Sequence, residues 1–174
     1  MNKIEYQFFD SPMGQMVAGA TENGICFLEW EDRGGIERIL KRVTKKYRLD
    51  EVQVEQNKFI IQLQKELSAY FDGTLTQFKV ALDIKGTAFE KQVWKQLLTI
   101  PSGETKTYGQ IADALDNTKA IRAVGRANGM NYISIVIPCH RVIGADGSLT
   151  GYGGKLWRKK KLLELESTNL SLFE

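Results

Sequence analysis

The sequence is poor in the residues that metal centres and disulfide frameworks require. Its 174 residues include one histidine, two cysteines and three prolines. Zinc sites normally take four ligands from several cysteines and histidines, and disulfide frameworks need several cysteines at short spacings. We therefore expect no metal and no disulfide framework. Two thiols far apart in sequence also favour a reducing compartment, and we expect the cytoplasm.

Long apolar runs are also absent. The sequence has no run of roughly eighteen or more apolar residues, which is the length that a membrane-spanning helix needs. Its N-terminus also lacks the basic and then apolar pattern of an export signal. We expect neither a membrane partner nor export. Hydrophobic residues still make up 43% of the chain, which is enough for a core in one compact unit or two small domains.

Charge is divided unevenly along the chain. Residues 1–83 carry 11 Lys and Arg against 13 Asp and Glu, whereas residues 84–174 carry 13 against 8. A basic half is expected where phosphates dock, although this asymmetry alone is weak evidence.

Hydrophobic periodicity predicts an α/β chain with a small N-terminal sheet-and-helix domain and a mostly helical C-terminal domain. The predicted domains are 1–84 and 85–168, followed by a tail at 169–174. In the first domain we predict strands at 4–9, 15–20, 25–30 and 78–84 and helices at 36–47 and 57–71, with Cys26 in the core. In the second we predict helices at 88–98, 109–115 and 155–166, and a recognition helix that is capped by Asn117 or Thr118 and ends at Gly129.

The recognition helix has a basic face and small neighbouring residues. Lys119, Arg122 and Arg126 share one face, while Ala120, Ala123, Gly125 and Ala127 keep the helix thin. A short preceding helix makes the pair typical of a helix-turn-helix that approaches nucleic acid. Taken alone, the basic stripe is more typical of a solvated face, and the small residues beside it are what favour a nucleic-acid groove.

The reactive groups of the chain follow Pro138. Apolar, β-branched residues at 135–137 and 142–143 predict buried strand on both sides, and Pro138 forces a turn between them. Cys139, His140 and Arg141 therefore lie on a rigid bend. A thiol beside an imidazole can act as a nucleophile, but a buried structural cysteine next to a hydrogen-bonded histidine is the alternative.

Several motifs occur here in the order and spacing of a known family. They are Arg122-Ala-Val-Gly, Asn131, Pro138-Cys-His-Arg-Val, and Gly151-Tyr followed by Glu166. The C-terminal half, from about Phe89 to Glu166, resembles the O6-alkylguanine-DNA alkyltransferases, which take an alkyl group from damaged guanine onto a cysteine. The N-terminal half matches only in pattern. The resemblance implies a ribonuclease H-like first domain and a winged-helix-like second domain.

The resemblance also implies catalytic roles. Cys139 would attack the alkyl carbon, while Glu166, His140 and a water relay the thiol proton. Tyr108 would help to rotate the nucleotide and donate to the guanine ring. Asn131 would hold the hinge between the recognition helix and the reactive segment.

Further roles implied by the resemblance concern DNA and the base. Arg122 would fill the vacated stack, and Ala120, Ala123 and Gly125 would let the helix lie in the minor groove beside Arg126. Tyr152 would pack on the extruded base. The purine edge would be read by the Gly153 N–H and by the carbonyls of Cys139 and Val142, in a pocket that also includes Arg141.

The resemblance thus implies irreversible, single-turnover repair of O6-alkylguanine, and of O4-alkylthymine, in duplex DNA. The product would be a thioether, which no cofactor regenerates. We expect a monomer with little sequence specificity. The chain departs from frequent family residues at Tyr132, Lys161 and Leu165, and these differences bear on pocket shape and affinity. It also lacks the ligands of the N-terminal zinc found in some relatives.

Three other functions compete with this one. A lesion-binding module without chemistry would lack the reactive cysteine, but Cys139 is present. A thiol hydrolase or redox protein would need a separate base or a resolving cysteine, and the sole histidine is the immediate neighbour. A transcription factor would prefer one duplex sequence strongly.

Overall fold

The structure is a computed structural model that describes residues 2–171. The chain divides between Lys85 and Gly86 into two compact units. Within the described residues, the first unit combines a four-stranded sheet with two helices, and the second consists mainly of helices. The predicted α/β class is confirmed.

The N-terminal sheet begins as an antiparallel meander. Strands β1 (Lys3–Phe9), β2 (Met16–Thr21) and β3 (Gly24–Trp30) pair in succession, which confirms the first three predicted strands. A fourth strand, β4 (Asp50–Gln53), pairs in parallel with the other edge of β1. Its four residues are all exposed, so it carries no apolar alternation that a sequence pattern could detect.

Both helices of this unit agree with prediction. Helix α1 spans Ile36–Tyr47 and α2 spans Lys58–Phe71. The side chain of Asn57 caps α2 by accepting hydrogen bonds from two first-turn N–H groups. Cys26 is buried in β3, as expected for a core residue.

The strand predicted at 78–84 is wrong. This segment makes only an isolated bridge between Leu82 and Ile25. The reason lies in its hydrogen bonds, because the Glu66 carboxylate accepts from the backbone N–H groups of Lys79 and Val80. Those donors are therefore unavailable to a neighbouring strand.

Up to residue 171, where the described structure ends, the C-terminal unit is built from four α-helices and two very short strands. In chain order these are α3 (Ala88–Leu97), β5 (Lys106–Thr107), α4 (Tyr108–Ala114), α5 (Ile121–Gly129), β6 (Val142–Ile143) and α6 (Leu156–Ser171). Strands β5 and β6 pair in parallel. The side chains of Thr87 and Thr107 form capping boxes at the starts of α3 and α4.

Two predicted helix bounds need correction. Helix α5 begins at Ile121 with Ala120 at its N-cap position, so neither Asn117 nor Thr118 caps it. The Asn117 carbonyl instead accepts from the Ala120 N–H in a preceding turn. Helix α6 continues past Glu166 to Ser171, and the hydroxyls of Ser167 and Thr168 bond to carbonyls one turn back. The predicted tail at 169–174 is thus helical up to 171, and residues 172–174 lie outside the described residues.

Among residues 2–171, no helix is both long and apolar enough to cross a membrane.

Candidate active site

The reactive residues form a single turn of 3-10 helix, Cys139–Arg141, directly after Pro138. The predicted turn is confirmed, but the strand predicted before it is wrong. Residues 135–137 are buried without pairing into a sheet, and Ile135 has a left-handed backbone with φ of 69°. A β-branched residue is strained in that conformation. The segment therefore reaches Pro138 through tight turns rather than as a strand.

Two buried asparagines connect this turn by hydrogen bonds to α5 and to the residues that follow α5. The Asn131 amide donates to the Ile137 carbonyl at 2.8 Å, and its oxygen accepts from the Ile133 N–H at 2.9 Å. The Asn128 amide on α5 donates to the Cys139 carbonyl at 3.4 Å. Asn131 thus links the residues after α5 to the backbone that leads into the reactive turn, and its role as a hinge stays a prediction. Sequence analysis missed Asn128, although a polar residue on the apolar face of a helix signals a buried partner.

His140 and Arg141 both bind the carboxylate of Glu166. Nε2 of His140 lies 2.7 Å from Oε1 of Glu166, and the Arg141 guanidinium donates to both carboxylate oxygens at 2.9 and 3.0 Å. Arg141 also donates to the Ile100 carbonyl at 2.6 Å. All three side chains are buried. Glu166 therefore neutralises a buried cation and orients the imidazole at the same time.

The electrostatics define the protonation states of this cluster. Burial by itself raises the pKa of Glu166, but the hydrogen bonds from His140 and Arg141, together with the positive charge of Arg141, outweigh it and lower the pKa to about 2. Burial lowers the pKa of His140, against the opposing effect of Glu166. At neutral pH, a neutral imidazole therefore donates its Nε2–H to a carboxylate. Its Nδ1 is then an unprotonated acceptor, and it has no hydrogen-bond partner among residues 2–171.

Lys159 is a second functional candidate that sequence analysis missed. Its ammonium is fully buried and donates to the carbonyls of Val142 at 2.5 Å and Thr150 at 2.8 Å. Burial lowers the pKa of Lys159, and negative charge on Cys139 raises it. The ammonium and the thiol are therefore within electrostatic range, and a cation there favours the thiolate.

The segment between β6 and α6 is anchored at Thr150. The Thr150 carbonyl accepts from the Tyr108 hydroxyl at 3.2 Å as well as from Lys159. Gly151 follows with φ of 65°, and a Cβ at this position would lie 3.3 Å from the Tyr108 hydroxyl. The Tyr108 hydroxyl, predicted to donate to guanine, therefore donates to the protein backbone in this structure.

The predicted pocket residues differ in exposure. Val142 and Tyr152 are buried, whereas Gly153 is exposed. Cys139 retains 6% of its surface, and its sulfur is a reduced thiol outside any disulfide.

The recognition helix presents the predicted basic face to solvent. Arg122 and Arg126 are exposed on α5, and Lys119 is exposed just before it. The smaller residues Ala120, Ala123 and Gly125 are partly exposed. The opposite side of α5 is held by α3, where the Trp94 indole donates to the Ala127 carbonyl at 2.8 Å.

No group of three or more His, Cys, Asp or Glu side chains in the described part of the chain could hold a metal ion.

Comparison with known proteins supports the resemblance over the whole chain. Residues 88–168 match the family model for the DNA-binding domain of 6-O-methylguanine DNA methyltransferase. Residues 4–84 match the model for its ribonuclease-like domain. A methylated-DNA--protein-cysteine methyltransferase of Mycolicibacterium paratuberculosis is 44% identical, over 98% of this chain and 99% of that protein. The chain belongs to the 6-O-methylguanine DNA methyltransferase family.

Further comparisons show the same similarity in sequence and in structure. The protein of that name from Methanosarcina acetivorans is 42% identical, over 94% of this chain and 98% of its own length. The crystal structure of Mycobacterium tuberculosis OGT in complex with DNA superposes with a TM-score of 0.81 at 42% identity, over 98% of this chain and 99% of that one. The N-terminal half, which matched the family only in pattern by sequence, is thus a family domain as well.

Proposed function

We propose that this protein repairs alkylated guanine in duplex DNA by direct, irreversible transfer of the alkyl group to Cys139. The observation that carries the proposal is the buried His140–Glu166 pair, which leaves an imidazole acceptor beside a thiol on a fixed turn. Family membership and the DNA complex of the M. tuberculosis relative support the substrate class. O4-alkylthymine is proposed as a second substrate, because it presents the same O-alkyl group.

The proposed chemistry is one displacement. The thiol proton of Cys139 passes through a water to Nδ1 of His140, whose protonated form Glu166 stabilises. The Sγ–carbon bond forms as the carbon–O6 bond breaks, and the bonding electrons leave on the guanine, which then takes up a proton. Lys159 favours the thiolate at the start of the step. The thioether has no leaving group, so each molecule reacts once.

DNA recognition is assigned to α5. We propose that the helix lies in the minor groove, where Ala120, Ala123 and Gly125 permit close approach and Arg126 binds phosphate. Arg122 fills the stack when the damaged nucleotide is extruded. The Tyr108 hydroxyl then gives up its hydrogen bond to the Thr150 carbonyl and donates to the extruded base. Tyr152 packs against the same base. Contacts of this kind give little sequence specificity. We propose a monomer in a reducing compartment such as the cytoplasm, which fits the reduced thiols of Cys26 and Cys139.

The test is an intact-mass measurement after incubation with a duplex containing O6-methylguanine. We expect a gain of one methylene mass, located on Cys139 by peptide mapping. Cys139→Ala should bind the duplex without gaining mass, while Cys26→Ala should still be methylated. Unchanged mass of folded wild-type protein in excess lesion DNA would reject the proposal. If the wild type bound the lesion tightly and never reacted, it would be a lesion-binding module.

A further inference from the structure

Trp157 is an exposed tryptophan in the first turn of α6. It retains 49% of its surface, whereas the other two tryptophans, Trp30 and Trp94, are buried at 0% and 2%. Tryptophan is enriched at binding interfaces because its ring offers a large apolar area together with an N–H donor, so Trp157 is a candidate contact residue.

The ring of Trp157 is held in place by its neighbour. The Arg158 guanidinium lies 4.8 Å from the ring centroid, in a cation–π arrangement. Arg158 is itself buried and donates to the Gly154 carbonyl at 3.3 Å. The ring is therefore supported on one side by a fixed cation, and stacking a partner against it costs little side-chain entropy.

Exposed lysines lie close to Trp157 in the chain, before the helix and one turn further along it. Lys160 and Lys161 lie three and four residues after Trp157, which puts them on the same helix face, and Lys155 precedes the helix. All three lysines are exposed. An aromatic ring among cations matches the way proteins bind nucleic-acid strands, where bases stack on rings and phosphates pair with lysines. An acidic protein would pair with the lysines, but its carboxylates would not stack on the exposed face of the Trp157 ring as a base does.

We propose that Trp157, Lys155, Lys160 and Lys161 form a second DNA-binding surface, which we call the α6 platform. Its ligand is the DNA strand next to the extruded nucleotide, with a base or sugar stacked on Trp157 and phosphates on the lysines. The segment lies within the residues that match the DNA-binding family model, but on a different helix from the recognition helix α5. The inference rests on the proposed function, because it names a further contact to the same substrate.

Tryptophan fluorescence tests the platform directly. The full-length Cys139→Ser protein, which cannot form the thioether, is titrated with a duplex containing O6-methylguanine. Because Trp157 is the only exposed tryptophan of the three, it dominates quenching by acrylamide. We expect saturating duplex to lower the acrylamide quenching constant by about two-fold, since a stacked base covers the ring. The same protein with Trp157→Phe should show no such decrease.

Binding measurements give a second readout. In the Cys139→Ser protein, Trp157→Ala should weaken duplex binding about ten-fold, as expected for the loss of one stacked base, and Trp157→Phe should restore most of it. Lys160→Gln with Lys161→Gln should reduce the slope of log K against log salt by about 1.8, which corresponds to two phosphate contacts. Ile61→Ala, at an exposed apolar residue of the N-terminal unit, and the pair Lys91→Gln with Lys95→Gln on α3 are the matched controls.

Polyglutamate, which carries negative charge but no bases, takes the place of the duplex in a parallel quenching experiment. Three results would overturn the platform. They are an unchanged acrylamide quenching constant at saturating duplex, equal duplex affinities for Trp157→Ala and its parent, or protection of Trp157 from acrylamide by polyglutamate but not by DNA. If the wild type transfers methyl and binds the duplex while any of these holds, only the platform fails. If the parent protein does not bind lesion duplex at all, the proposed function fails with it.

Discussion

His140 and Glu166, which are 26 positions apart in sequence, meet through a 2.7 Å contact between Nε2 and Oε1 in a fully buried environment. The same carboxylate binds Arg141 through both oxygens. Glu166 thus holds the two residues that follow Cys139, and the orientation of the reactive turn depends on one negative charge from α6.

Removing that charge should affect both chemistry and stability. In Glu166→Gln, we expect methyl transfer to slow by about 100-fold, because the imidazolium loses its stabilising partner. The free energy of unfolding should fall by about 3 kcal/mol, because Arg141 remains buried without a counter-charge. Single-turnover kinetics and urea unfolding measure the two effects. Glu164→Gln, at an exposed carboxylate of the same helix, is the control and should match the wild type.

Stability should decrease in acid in two stages. The pKa of His140 is lowered in the folded state, so the unfolded chain binds the proton more readily, and stability is lost as the pH falls below about 6.5. The pKa of Glu166 is lowered to about 2 from an ordinary value of 4.5, so its contribution is lost as the pH falls from about 4.5 towards 2. Urea unfolding between pH 7 and 5 should show a smaller decrease for His140→Gln. An identical decrease in that variant would contradict the assignment.

Arg122 should matter for duplexes more than for the chemical step. In Arg122→Ala, we expect repair of O6-methylguanine in a duplex to slow by at least about ten-fold, because the vacated stack is left unfilled. Reaction with the free base O6-methylguanine needs no extrusion and should change much less. Rates with both substrates give the ratio, with Lys91→Ala as a control at an exposed lysine of α3. Equal losses on the two substrates would disprove the stack-filling role.

Lys159 should control the reactivity of the thiol. In Lys159→Met, we expect Cys139 to react about ten-fold more slowly with iodoacetamide at pH 7, because the nearby ammonium no longer favours the thiolate. Peptide mapping separates Cys139 from the buried Cys26. Lys95→Met, at an exposed lysine on α3, is the control. Retention of wild-type reactivity in Lys159→Met would show that the ammonium serves only to anchor the backbone.

The sequence predicts the parts of this fold whose signals are local. Helices α1 and α2 have regular apolar stripes, Thr87 provides a capping box, and Pro138 enforces the reactive turn. Strand β4 has no stripe because it is exposed at the sheet edge. The segment at 78–84 alternates like a strand, but Glu66 takes two of its backbone donors.

In the active site, too, contacts between residues far apart in the sequence leave no local signal. Nothing in the spacing of His140 and Glu166 predicts their contact, and only the family resemblance suggested it. Lys159 gave no signal of its own, because residues 155–161 are mostly basic and a basic run is typical of a solvated helix. Its partners are the backbone carbonyls of Val142 and Thr150, and these leave no signature in the side-chain pattern.

The double anchoring of the Thr150 carbonyl has a consequence for how the protein changes when it binds DNA. Tyr108 and Lys159 donate to this atom from different helices, α4 and α6, so the carbonyl keeps its Lys159 bond when Tyr108 turns to the base. The segment between β6 and α6 then stays in place while the tyrosine hydroxyl moves. The protein would meet a damaged nucleotide with a side-chain rotation rather than with a rearrangement of its backbone.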